Sequence, residues 1–256
     1  MKYIFGAGIT AAAAMLLYMA NNANDIKEKR HTIKLKTDKR FRPFRLVFLA
    51  DIHRKKLPEN FLAFPVDAIV IGGDLTERGV ALHRTAKNLR ILCQAAPVYF
   101  VWGNHDHNSN ERNLRKLFEH YGVKVLENES VALFGQSHLK LVGVDFYTQS
   151  EEKMESAFAE VQEKDTVLFV AHSPIDFKRL GNRKTPQLLM AGHLHGGQIR
   201  LGKIGLFQKG SMSKRESGWE LVTNGYGTRL LPLRLGAEAQ YHVLDISPEK
   251  VDHLQG

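Results

Sequence analysis

Cysteine is almost missing from this chain: of 256 residues only Cys93 carries a thiol, so no internal disulfide is possible. Cys93 lies in the helix-like stretch "HRTAKNLRILCQ", where a buried spectator fits better than a nucleophile. Beyond about residue 40 there are no low-complexity tracts, internal repeats or long Pro- or Ser-rich linkers. That excludes solenoids and strings of small modules, and it points to one domain over 41–256. Acidic residues are scarce in one place. Between Lys27 and Arg45 nine basic residues stand against two acidic ones, so this segment holds +7 of the net charge of +9 and the remaining body is nearly neutral. A charge confined in this way explains topology better than it explains a nucleic-acid partner, which is disfavoured.

What is present begins with one long uncharged run. "YIFGAGITAAAAMLLYMA", Tyr3 to Ala20, has no charge over eighteen residues. At about 1.5 Å per helical residue this is just long enough for a hydrocarbon core of about 30 Å. The expectation is a transmembrane anchor or uncleaved signal over 1–24, followed by a basic juxtamembrane linker over 25–40. Lys and Arg beside a span tend to stay in the cytoplasm, so the pattern predicts a single-pass protein of the cell membrane with its large domain on the cytoplasmic side. The linker would then lie against anionic lipid head groups.

The body alternates apolar runs with helix-like stretches. "RLVFLADIH", "VDAIVIGGD", "PVYFVWGNHD", "TVLFVAHSP" and "PQLLMAGHLH" are short, rich in β-branched or aromatic residues, and end in polar clusters. Near-continuous apolar runs suit strands buried on both faces. Helical patterns fall at Thr76–Ala96, after Asn110 and over Ser150–Glu163. The fold class is α/β, with two packed mixed β-sheets flanked by helices.

Each of the five runs delivers its chemistry at the strand's C-terminal end, where ligands of α/β folds sit. Those ends supply Asp51 and His53; Asp74; Asn104, His105 and Asp106; His172; and His193 with His195. Oxygen and nitrogen donors in this mixture are wrong for calcium and for a thiolate zinc finger; they suit Mn, Fe, Zn or Ni. The motifs are D-x-H ("DIH"), G-D ("GGDLTERG"), G-N-H-D, an isolated His ("AHSP") and G-H-x-H ("GHLHGGQ"), in that order. In these motifs the chain resembles the calcineurin-like metallophosphoesterases. The "GGQ" extension and the tail "VTNGYGTRLLPLRLG" resemble their bacterial, membrane-anchored phosphodiesterase branch.

The resemblance implies a four-layer αββα sandwich holding two divalent metal ions. It implies Asp51, His53, Asp74 and His195 as ligands of one ion, and Asp74, Asn104, His172 and His193 as ligands of the other, with Asp74 bridging. Two such cations acidify a shared water and clamp the phosphoryl oxygens during in-line attack. His105 would steady the transition state or protonate the leaving oxygen, and Asp106 would orient His105 from behind. The expected activity is a metal-dependent phosphoesterase, a phosphodiesterase rather than a monoesterase, acting at the membrane on a phosphoester substrate; the resemblance to the membrane-anchored branch implies a lipid-linked one. The alternatives are a non-catalytic lipid- or partner-binding module on the same fold, or a nuclease. Arg54, Lys55 and Lys56 depart from the Leu-Gly turn of many relatives; they could attract a polyanion, contact the membrane or be merely solvated. Asp145 reads equally as a partner behind the site or as a turn residue, and Gln198 as a residue that shapes its loop.

Overall fold

The protein is described by a computed structural model covering residues 2–148, 150–181 and 185–250, with side chains from Gly8 onward. The chain opens on helix α1 (Lys2–Asn24), then lays down β1 (Lys27–Thr37), β2 (Phe44–Leu49), β3 (Ala68–Ile71), α2 (Leu82–Ala95), β4 (Val98–Phe100), the single turn α3 (Asn104–His107), α4 (Glu111–Tyr121) and β5 (Lys124–Val125). The second half carries β6 (Glu129–Ala132), β7 (Leu139–Gly143), α5 (Glu151–Ala157), β8 (Thr166–Val170), α6 (Asp176–Arg179) and β9 (Leu188–Ala191). It closes with a small hairpin of β10 (Arg200–Leu201) and β11 (Ile204–Gly205), then β12 (Ser211–Arg215), β13 (Gly218–Val222) and β14 (Gln240–Lys250).

Two six-stranded sheets result, in the orders β1-β14-β2-β3-β4-β5 and β12-β13-β9-β8-β7-β6. Strands β2 to β5 run parallel, as do β7, β8, β9 and β13, while edge strands β6 and β12 are antiparallel. Alternation of side chains along each strand separates three cores. Leu46, Phe48, Val70, Leu168, Met190 and Leu244 fill the space between the sheets. Val47, Leu49, Ile71 and Phe100 face α2 and α4 through Leu89, Leu92, Leu114 and Phe118. Phe169 and Leu189 meet Met154, Phe158 and Phe177 of the α5 and α6 region. The order helix, sheet, sheet, helix follows from these contacts.

One expectation about the N-terminal region needs correction. Residues 27–37 are not a linker but the edge strand β1, paired in parallel with β14 along its whole length, from Lys27 opposite Gln240 to Thr37 opposite Lys250. Ile33, Leu35 and Thr37 point inward and the intervening Lys34 and Lys36 point to water. The basic residues thus occupy the outer positions of a half-buried strand, and lysines on an edge discourage pairing with a second sheet. As for the span, no helix among the described residues is long and apolar enough to cross a membrane. The described side chains of α1 end in a polar turn (Asn21, Asn22, Asn24), and Met19 and Ala23 are buried against the domain. The side chains of residues 1–7, the start of the expected anchor, lie outside the described part.

Helix α4 starts on the side chain of Asn110, which accepts from the Asn113 N–H, and stops at Gly122 in the left-handed region. The stretch expected to be helical from Thr76 forms a helix only from Leu82; residues 76–81 are a loop at the site. Cys93 is partly buried in α2 and burial raises its thiol to about 11, which fits a spectator.

Candidate metal centre

Asp51 and His53 follow β2, Asp74 follows β3, Asn104 to Asp106 follow β4, His172 follows β8, and His193 and His195 follow β9. One sheet supplies the first three ends and the other the remaining two, so the site straddles the two. Backbone conformation sharpens the delivery: Asp51, His53, Asp74, His193 and His195 have φ of 56°, 51°, 52°, 72° and 50°. This left-handed region is costly for residues with a side chain, and such strain gathers where geometry is set by function. Space is equally tight, for a Cβ on Gly192 would stand 2.6 Å from Oδ2 of Asp51.

Three groups of donor atoms converge, each within 4.8 Å: Asp51 with His53 and His195, Asp74 with His172 and His193, and His53 with Glu77 and His105; the first two are the triads expected from the sequence. The Nε2 atoms of His53 and His195 are 3.2 Å apart, and His172 Nε2 is 3.1 Å from His193 Nδ1. Two imidazoles sharing one cation at about 2.0–2.1 Å have nitrogens about 2.9–3.4 Å apart. Oδ2 of Asp74 lies 3.3 Å from His172 Nε2 within its own triad and 3.7 Å from His53 Nε2 of the other. Its Oδ1 accepts the backbone N–H of His105 at 2.8 Å. Asn104 Oδ1 is buried without a hydrogen-bond partner, a costly state for an acceptor unless a ligand satisfies it. The donor set therefore fits divalent transition metals.

Groups behind the donors fix their orientation. Nδ1 of His172 is 2.8 Å from the carbonyl of Gly72, which leaves Nε2 facing the cluster. Asp51 accepts the backbone N–H of His193 with both oxygens, at 3.2 and 3.0 Å. Burial raises Asp74, yet the charges of His172 and His53 win and hold it below the usual carboxylate range. Burial alone would lower His172, but Asp74 and Asp51 lift it to about 10; His193, buried beside His172, falls to about 4. The buried carboxylates thus draw positive charge onto His172, while His193 beside it is held neutral.

Asp106 requires correction. It does not stand behind the His105 ring: fully buried, it accepts the backbone N–H groups of Asp74 (2.7 Å), Gly103 (3.0 Å) and Thr76 (3.0 Å). It ties the turn after β3 to the turn after β4, and consecutive residues on a helical turn point in different directions. His105 packs edge-on to His53, ring centroids 5.1 Å apart, and its Nε2 has no partner.

Two contributors escape the sequence reading. Glu77, three residues after Asp74 in "GGDLTERG", has Oε2 3.1 Å from His53 Nδ1 and its other oxygen on Arg54. The His53 contact and Arg54 hold Glu77 down to about 2 against its burial. Arg234, a lone cation in "LPLRLG", is completely buried and donates to carbonyls that include those of His195, Asn224 and Gly227. Of the three cations after "DIH", Arg54 therefore serves Glu77, Lys55 Nζ donates to Asn24 Oδ1 of α1 at 2.6 Å, and Lys56 is exposed. Gln198 shapes its loop: its amide donates to the carbonyls of Arg229 (3.2 Å) and Leu231 (2.9 Å).

Asp145 turns out to pair with His107, Oδ1 to Nε2 at 2.6 Å, joining the turn after β7 to α3 across the two sheets. Burial lowers His107, but Asp145 and Glu111 outweigh it and its pKa is raised. A group raised on folding contributes stability that is complete below its unfolded pKa of about 6.5 and fades as pH rises through the folded value. The melting temperature of the parent should therefore exceed that of His107→Gln most at about pH 6, with the gap closing as the pH rises through the folded value of His107. A gap that stays constant or widens would show that the pair acts through packing alone.

A cleft of about 670 Å³ opens beside the centre, lined by Arg54, Glu77, Arg78, His105, Arg229 and Leu230 among others. Comparison with known proteins agrees with this geometry. Residues 44–197 match the calcineurin-like phosphoesterase family. The chain is 34% identical to the uncharacterised protein YpbG of Bacillus subtilis over 95% of this chain and 96% of that protein. It is 28% identical to the uncharacterised metallophosphoesterase YkoQ of the same organism, over 73% of this chain and 74% of that one. It is also 27% identical to the phosphodiesterase YaeI of Escherichia coli, over 64% of each chain.

Proposed function

Because this chain belongs to the calcineurin-like phosphoesterases, we propose that it is a dinuclear metal-dependent hydrolase of phosphoric esters, acting on diesters or diphosphates at a membrane surface. The observation that carries the reading is Asp74 Oδ2, a single carboxylate oxygen that belongs to one triad and reaches within 3.7 Å of His53 in the other. Asp51, His53, His195 and Asp74 would hold one ion; Asp74, Asn104, His172 and His193 would hold the second. When bound, such a pair makes a water nucleophilic at neutral pH and stabilises charge developing on the phosphoryl oxygens.

The remaining work belongs to the chain. His105 lines the cleft beside the donors, and its unpartnered Nε2 is placed to hydrogen-bond or protonate an oxygen leaving the phosphorus. Arg78 and Arg229 line the same cleft without a carboxylate partner among the described residues, so they supply positive charge to an anionic substrate. Leu230 and Pro232 give the cleft an apolar side, which suits a second ester substituent better than a bare phosphate. A diester is also what the name of YaeI records for that relative.

The test uses the whole chain, because β1 belongs to the first sheet. Metal-stripped protein is assayed on a chromogenic phosphodiester and its monoester analogue with Mn, Fe, Zn, Ni and Mg. A transition metal should restore diester turnover, and His105→Ala should lose about 100-fold or more of it while keeping its metal. Failure to bind any of these ions would leave the non-catalytic binding module as the reading.

A further inference from the structure

Large apolar side chains left in water gather at the mouth of the cleft. On and after hairpin β10–β11, Leu201, Ile204, Leu206 and Phe207 are 71%, 79%, 88% and 55% exposed, and Leu230 and Leu231 are 92% and 58% exposed. These are one surface. Gln198, at the root of the hairpin, clamps residues 229–231 with its carboxamide, and Ile199 bridges to Leu235 and Gly236. Helix α1 adjoins it, since the N–H of Arg234 donates to the carbonyl of Met19 at 3.0 Å. Just before Met19, Leu16, Leu17 and Tyr18 are exposed too.

Folding gains nothing from this arrangement. Water-soluble monomers rarely expose a contiguous apolar patch of this kind without a use for it. Leu230 has φ 58°, so the chain holds a leucine in a strained conformation with its side chain pointing outward. Charge narrows the partner. From His195 to Arg215 and from Leu221 to Ala237 there is no Asp or Glu, while Lys203, Lys209 and Arg229 stand exposed among the apolar side chains. Protein interfaces are depleted in lysine, whereas protruding leucine and phenylalanine with lysines around them and no acids match the head-group layer of an anionic bilayer.

We propose that hairpin β10–β11 and the 229–231 loop dock on an anionic phospholipid surface, inserting Ile204, Leu206, Phe207 and Leu230 at head-group depth, so that the catalytic cleft opens onto lipid. This inference deepens the proposed function and rests on it for its purpose, but the docking is measured separately.

In the full-length chain, Phe207→Trp places a reporter indole at the tip. Vesicles containing phosphatidylglycerol should shift its emission to the blue and brominated lipid should quench it, with pure phosphatidylcholine vesicles weaker by about tenfold or more in affinity. Adding Ile204→Glu and Leu206→Glu should abolish the shift while hydrolysis of a soluble chromogenic diester stays at the parent rate. An indole that remains in water while the protein floats with the vesicles overturns the proposal, as does an indole already buried in a self-associated form without lipid. Loss of diester turnover in the parent, with the shift intact, would instead remove the hydrolase reading and leave the docking standing.

Discussion

Arg234→Met should lower the melting temperature by about 10 °C or more. The guanidinium is completely buried and donates to the carbonyls of Asn224 (2.7 Å), Gly225 (3.2 Å), Gly227 (2.5 Å) and Ala237 (3.0 Å), with longer contacts of 3.4 Å to His195 and Glu238. Burial pulls it down to about 10, which leaves it charged at neutral pH. Methionine matches much of the volume but supplies no donor, and each buried carbonyl left unsatisfied costs about 1–3 kcal/mol. With some carbonyls rehydrated, a net loss of about 3–5 kcal/mol is expected, and each kcal/mol moves the midpoint of a chain this size by about 2–4 °C. Metal affinity should fall as well. The loop held by Arg234 returns the N–H groups of Tyr226 and Gly227 to the carbonyls of Ala50 (2.9 Å) and Asp51 (2.6 Å). Arg234→Lys should recover only part of the loss, because an ammonium cannot reproduce the planar fork. Calorimetry of the three proteins decides the matter, and a drop of under about 3 °C in Arg234→Met would mean that the carbonyls find other donors.

Asp74→Asn should leave the fold intact and remove the chemistry. Asparagine can still accept the His105 N–H through its carbonyl oxygen. The oxygen that faces both triads becomes an NH₂ group, which presents protons to His172 and His53 where a lone pair stood 3.3 and 3.7 Å away. It also deletes the negative charge that lifts His172 and that a pair of cations would be held by. Bound metal should drop from two ions to one or none. Diester turnover should fall by more than about 100-fold, beyond the loss typical of residues that only support a ligand. Elemental analysis beside far-UV circular dichroism separates this from misfolding. Two retained ions with near-parental rate would show that Asp74 does not bridge.

Much of the centre could be read from the chain because its donors follow strands whose apolar runs are local and continuous. Asp51, His53, Asp74, His172, His193 and His195 all arrive where those runs stop, and Asn104 beside them. What could not be read depends on distant partners. Strand β1 looked like a charged linker because its mate, β14, is more than two hundred residues away and the lysines hide the alternation of Ile33 and Leu35. Glu77 and Arg234 carry no local pattern, since their roles come from the carbonyls and rings that the fold brings to them. Asp106 misled by adjacency: its place beside His105 in the sequence suggested a pair, while its oxygens are taken by three backbone N–H groups.

Strand β14 has one more consequence. It lies between β1 and β2, two strands that follow each other in the chain, and it pairs with β2 from Phe44 to Phe48, just ahead of Asp51 and His53. During synthesis the first sheet stays split, with an open gap beside β2, until residues 240–250 have left the ribosome. Contacts of such sequence separation form late, so a polypeptide cut short before β14 lacks the support on which Asp51 and His53 are aimed. A copy that stops short of β14 should therefore carry every donor of the centre and still fail to assemble it.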